Sequence, residues 1–118
     1  MLARTERLHR QFFHLVLTPG RQTAWEPPVD MVATSAAVCI IIAMPGVDPK
    51  TIDVEIQGDR LAVAGTRSFP DGFSGGAIHR HELPYGRFER TLALPPGSYG
   101  DVKSAIIDGC LHVTLTKI

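Results

Sequence analysis

Five residues, Gly72-Phe73-Ser74-Gly75-Gly76, have the form Gly-x-Ser-x-Gly, the spacing that throws a serine hydroxyl out on a sharp turn beside backbone N–H donors. Asp101 and His112 follow in the order Ser, Asp, His, so the chemistry to weigh is acyl transfer by a serine nucleophile. Such an elbow works only where a strand stops and a helix starts. Here the chain continues as Ala-Ile-His-Arg-His-Glu-Leu-Pro, without helical periodicity, and the stretch reads as a glycine loop. His79 and His81, two apart, would put two imidazoles on one side of a strand, with a glutamate or His112 as further zinc ligands. A structural zinc needs a full tetrahedral set, and no convincing one can be written. They read as exposed loop histidines, which at a subunit contact would make it pH-sensitive. Cys39 and Cys110 are far apart and each sits in an apolar run, so there is no CxxC pair and no disulfide framework. With no basic neighbour beside Cys39 to favour a thiolate, both read as buried or half-buried filler. No catalytic, cofactor-binding or metal residue is assigned, and the expectation is a protein that is not an enzyme and needs no cofactor.

The elements that carry these residues follow from patterning. A chain of 118 residues has room for one domain, since domains usually run to about 100–150 residues. Hydrophobic residues at 44% and charged residues at 20% are ordinary globular usage, excluding a disordered tail or a membrane span. The zero net charge hides an asymmetry: residues 1–25 hold Arg4, Arg7, Arg10 and Arg21 against Glu6, whereas the remaining body is mildly acidic. A nucleic-acid binder would concentrate Lys and Arg on its folded part, so nucleic acid is set aside. Arg4, Glu6, Arg7 and Arg10 interrupt any secretory signal, and a cytoplasmic location is expected, with a mitochondrial presequence as the alternative.

Within residues 5–17, Leu8, Phe12, Leu15 and Val16 recur at helical spacing, with Arg7, Arg10, Gln11 and His14 away from them; this predicts a short amphipathic helix ended by Thr18-Pro19-Gly20. Residues 18–28 read as a linker. From Val29 the period changes to two. Residues 36–44, AAVCIIIAM, are apolar on both faces and predict a central, covered strand. Residues 51–57 alternate Ile52, Val54 and Ile56 against Asp53, Glu55 and Gln57; Gly58-Asp59 turns the chain into residues 60–67. The interval from Ser68 to Gly86 is too long for a hairpin and contains a candidate short strand, Ile78–Leu83. Residues 87–96 put Phe88, Arg90, Leu92 and Leu94 on one face, and Asp108-Gly109 supplies the two positive-φ positions of a type I′ hairpin. Strands at this spacing, with no helix between them, predict an all-β, antiparallel immunoglobulin-like sandwich.

Four blocks then match a known pattern in order: PPVDM at 27–31, MPGVDPKTIDVEIQGDRLAVAGTR at 44–67, HRHELPYGRFERTLALP at 79–95 and DGCLHVTLTK at 108–117. Together they resemble the small heat-shock proteins, the α-crystallin domain family of ATP-independent chaperones. Ser104 and Cys110 stand where that family usually has Ala and Val, and the chain ends at Ile118, where many members continue into an Ile-x-Ile/Val tail that docks in a neighbour's groove. The domains implied are an N-terminal amphipathic arm, 1–24, and an α-crystallin-type β-sandwich, 25–118.

The resemblance implies a holdase that binds unfolding client proteins through an apolar groove at Ile52, Val54, Ile56, Ser104 and Ile106, left uncapped without a tail. It also implies a homodimer in which the Ile78–Leu83 strand crosses to the partner's edge around Val29 to Val32. The contact residues expected there are Val29, Met31, Ile78, Arg80, Glu82 and Arg90, with Arg90 paired to an acid. Leu8, Phe12, Phe13, Leu15 and Val16 would form a client-binding and oligomerising arm rather than a stably inserted membrane helix. The alternative is a CS-type co-chaperone adaptor, which shares the sandwich but binds one folded partner; such domains lack the long exchange loop, and the Ser68 to Gly86 interval speaks against it.

Overall fold

A computed structural model describes residues 24–118. The candidate helix at 5–17 lies outside them. Seven strands follow in chain order: β1 (Val29–Ala33), β2 (Ala37–Ala43), β3 (Asp53–Gln57), β4 (Arg60–Arg67), β5 (Gly86–Ala93), β6 (Tyr99–Ile107) and β7 (Cys110–Lys117). They form two antiparallel sheets, ordered β1-β2-β7-β6 and β3-β4-β5, packed as the sandwich that the alternating pattern predicts.

Turn chemistry sets each register. Thr34 closes the β1–β2 corner by accepting from the Ala36 and Ala37 N–H groups at 3.2 and 3.0 Å, a local side-chain turn that spares those amides a ladder partner. Between β2 and β3, Thr51 Oγ1 donates to Asp48 O at 2.7 Å and accepts from Thr66 N–H at 2.9 Å, tying the connection onto β4. At the β6–β7 hairpin, Asp108 and Gly109 have φ of 51° and 78°, the paired left-handed conformation of the expected type I′ turn.

The core is built from alternate residues. Val38, Ile40 and Ile42 of β2, Leu111, Val113 and Leu115 of β7, Leu61 and Val63 of β4 and Phe88 of β5 are all buried. Gly65 belongs to this layer because nothing larger fits: a Cβ there would lie 2.7 Å from Val47 Cγ1 and 3.0 Å from Met44 Cε. The chain joins the two layers on one side. Trp25 donates to Arg87 O at 2.8 Å and accepts from Glu89 N–H at 2.9 Å, adding one parallel bridge to β5. Its ring lies 4.8 Å from that of Phe88. Two residues later Pro27 is fully buried, and the chain enters β1 in the other sheet.

Three expectations are corrected. β2 is central in hydrogen bonding but, among the described residues, covered on one face only; Cys39 is exposed rather than filler, and Ile41 is exposed too, because both point away from the three-stranded sheet. Cys110 is half-buried, as expected. Among the described residues, 78–83 form no strand, since a strand needs a ladder partner and these residues pair with none of the seven strands. β6 begins at Tyr99, well before the isoleucines that announced it.

Candidate functional site

The edges of the two sheets define where other chains could add. Trp25 closes β5 against the β1 side of the sandwich, and Arg90 reinforces that side by donating to Pro27 O at 3.2 Å. The opposite margin is therefore formed by β6 of one sheet and β3 of the other, both edge strands among the described residues. Cross-strand register shows which β6 side chains face inward. Val102, Ser104 and Ile106 pair with Leu115, Val113 and Leu111, and directly opposed residues share a face. These inward residues are nonetheless exposed, Val102 at 43% and Ile106 at 41%. Across from them Ile52, Val54 and Ile56 are half-buried and pack against the core from β3.

Of the five groove residues expected from the sequence, Val54 and Ile56 lie on β3 and Ser104 and Ile106 on β6, with Ile52 immediately ahead of β3. Val102 completes the set. It was missed because Gly100, Asp101 and Lys103 around it mask the alternation Val102-x-Ser104-x-Ile106. An apolar inner face with no layer above it among the described residues, beside strand edges that present backbone donors and acceptors, is the arrangement that accepts extended apolar segments.

The residues expected at a subunit contact divide into two groups. Val29 and Met31 turn their side chains onto the core, so what β1 offers a partner is its backbone edge. Ile78 is 66% exposed on the β4–β5 connection, and Arg80 and Glu82 form an exposed ion pair at 3.2 Å, of the kind that adds little stability. Arg90 finds its acid within the chain, with Nε 3.9 Å from a Glu26 carboxylate oxygen. The connection itself folds around rings: Phe69 packs on Phe73, His81 and Tyr85 with centroids 5.6, 5.9 and 5.1 Å away, and the Arg67 guanidinium lies 5.0 Å from the Tyr85 ring centre. Phe69, Phe73, His81 and Tyr85 border a concavity of about 740 Å³. Leu8, Phe12, Phe13, Leu15 and Val16 lie outside the described residues.

The hydrolase and zinc arrangements are not assembled. Ser74 follows a single 3₁₀ turn, Asp71–Phe73, and leads into exposed loop, not a helix. His112 sits on β7 between Ile41 of β2 and Ala105 of β6, within the four-stranded sheet. His81 is held among rings without forming a strand with His79, and among the described residues no cluster of three or more His, Cys, Asp or Glu side chains could hold a metal ion. No described helix is long and apolar enough to cross a membrane.

Comparison with known proteins places residues 30–118 within the pattern described as the Hsp20/alpha crystallin family. The chain is 34% identical over 95 residues to the spore protein SP21 of Stigmatella aurantiaca, covering 80% of this chain and 56% of that protein. It is 28% identical over 92 residues to the small heat shock protein C2 of Rickettsia felis, covering 77% and 60%. The chain therefore spans somewhat over half the length of these curated relatives. Among solved structures it is similar to hspA from Xanthomonas axonopodis, with a TM-score of 0.69 and 28% identity over 80% of this chain and 96% of that one. It is also similar to a small heat-shock protein from Xylella fastidiosa, described as having a distinct high order structure, with a TM-score of 0.68 and 27% identity over 80% and 88% of the two chains.

Proposed function

The chain belongs to the Hsp20/alpha crystallin family, and from that premise we propose that it is an ATP-independent holdase, capturing unfolding proteins at the β3–β6 margin before they aggregate. The family is one of small heat-shock chaperones, generally not enzymes. The observation that carries the finer reading is the exposure of Val102 and Ile106 on the inner face of an edge strand. Unfolding chains expose extended apolar segments, and such a segment lying along this margin gains both side-chain burial and strand pairing. Burying a few hundred Å² at roughly 25 cal/mol/Å² gives several kcal/mol of gross attraction. Association costs remove much of it, so each site holds weakly and several linked sites hold well. Such binding needs no nucleotide and makes no covalent bond.

The working unit in this reading is a cytoplasmic homodimer, formed when residues 78–83 of one copy add to the β1 edge of the other. In that pairing the backbone groups of residues 78–83 and those along the outer edge of β1 would satisfy each other as a ladder. The test is light scattering of a heat-labile protein warmed with and without this chain. Suppression near equimolar ratio without ATP is expected; unchanged aggregation would end the holdase reading, and capture of one folded partner instead would favour an adaptor.

A further inference from the structure

The β4–β5 connection leaves the sandwich at the last pair of its ladder, Arg67 with Gly86, and side chains close it at once. Phe69 and Tyr85 stand with ring centroids 5.1 Å apart, edge to face, the geometry that aromatic pairs prefer, and the Arg67 guanidinium lies over the Tyr85 ring. Backbone bonds order the first half of the connection, Phe73 N–H donating to Pro70 O at 3.1 Å and Ser74 N–H to Asp71 O at 3.0 Å, and Phe73 turns back onto Phe69 at 5.6 Å. From the second half His81 comes to the same place, 5.9 Å from Phe69 and 5.4 Å from Tyr85. One ring, Phe69, thus gathers both halves of the connection, and the cluster lies outside the core of the sandwich.

We propose that this ring cluster is a stem that presents residues 78–83 to a second copy of the chain, with Phe69 and Tyr85 as positioning residues for the exchange; the inference rests on the dimer proposed above. Two observations give its direction. The rings pin the connection at its base and again at residue 81, inside the exchanging segment, so that segment moves with the end of β5. The same contacts leave its apolar side chains unspent: Ile78 is 66% and Leu83 54% exposed, both lining the open concavity beside the rings. A segment stored on its own chain would bury such residues, whereas a presented one keeps them for a partner. A loop pinned at its ends and near its middle has less conformational freedom to lose, and ordering a segment before association removes that cost from binding.

Phe69→Ala in the full chain removes the shared ring at a position 39% exposed, and Tyr85→Phe keeps the other ring as the conservative control. Across a dilution series followed by light-scattering mass, Phe69→Ala should raise the dimer dissociation constant about tenfold, a ratio worth about 1.4 kcal/mol, with the thermal midpoint unchanged; Tyr85→Phe should match the unaltered chain. Tryptic cleavage after Arg80, measured below the dissociation concentration, reads the stem without a partner, and it should be severalfold faster in Phe69→Ala than in the other two proteins. Equal cleavage rates would overturn the stem whatever the subunit mass. Faster cleavage with an unchanged or tighter dimer would overturn presentation and make the cluster a store for the segment. An unaltered chain that stays monomeric at every concentration would overturn the dimer and presentation together, a failure told apart from loss of the stem because cleavage would still depend on the Phe69 ring.

Discussion

Single atoms decide stability at two positions. Gly65 has Val47 Cγ1 within 2.7 Å of where a Cβ would stand, and the Val47 methyl sits on a stiff branched side chain that cannot swing aside. Gly65→Ala should destabilise the sandwich by about 1–3 kcal/mol, the usual cost of overpacking, and lower the thermal midpoint by several degrees, as calorimetry would record. Asp108 carries φ of 51° at the β6–β7 turn, a left-handed conformation that Asn tolerates and a β-branched residue does not. Asp108→Asn should be nearly neutral, and Asp108→Val should cost about 1–2 kcal/mol; equal urea midpoints for the two variants would contradict the turn assignment. Both positions were readable before any coordinates, Asp108 from its Asp-Gly pair and Gly65 from the Leu-x-Val-x-Gly block, although only packing explains why the latter must be glycine.

At the scale of elements, legibility followed burial. β4 and β7 could be read from alternation, because each has one face on the core. β6 was half hidden: an edge strand with little above its inner face tolerates Gly100, Asp101 and Lys103, so the period that marks a strand is diluted where the strand is most accessible. The two-sided apolarity of β2 was legible, but periodicity states that a face is apolar without naming what covers it. The candidate strand at 78–83 is not a strand among the described residues, since periodicity reads the side chains of a segment and not whether a ladder partner is at hand. The β3–β6 margin makes its own prediction. Val102→Asp with Ile106→Asp places charges on exposed positions, so the fold and its thermal midpoint should change little while protection of an aggregating protein falls severalfold in light scattering. Full protection by the folded double variant would move client capture to another surface.

For the whole molecule, assembly follows from which edges remain open. Ile78 and Leu83 are 66% and 54% exposed, so Ile78→Asp with Leu83→Asp should leave the sandwich folded and convert a dimer to a monomer in light-scattering mass measurements; an unchanged mass would remove the strand-exchange dimer. Among the described residues the same topology leaves β1, β3 and β6 as edge strands, but not all of β5. Because the backbone of Trp25 occupies the Arg87–Glu89 stretch, no further strand can add to the three-stranded layer there, and its uninterrupted edge among the described residues is β3. Open edges are where folded sheets begin to aggregate, and on this side a short backbone segment of the chain itself shuts part of that entrance.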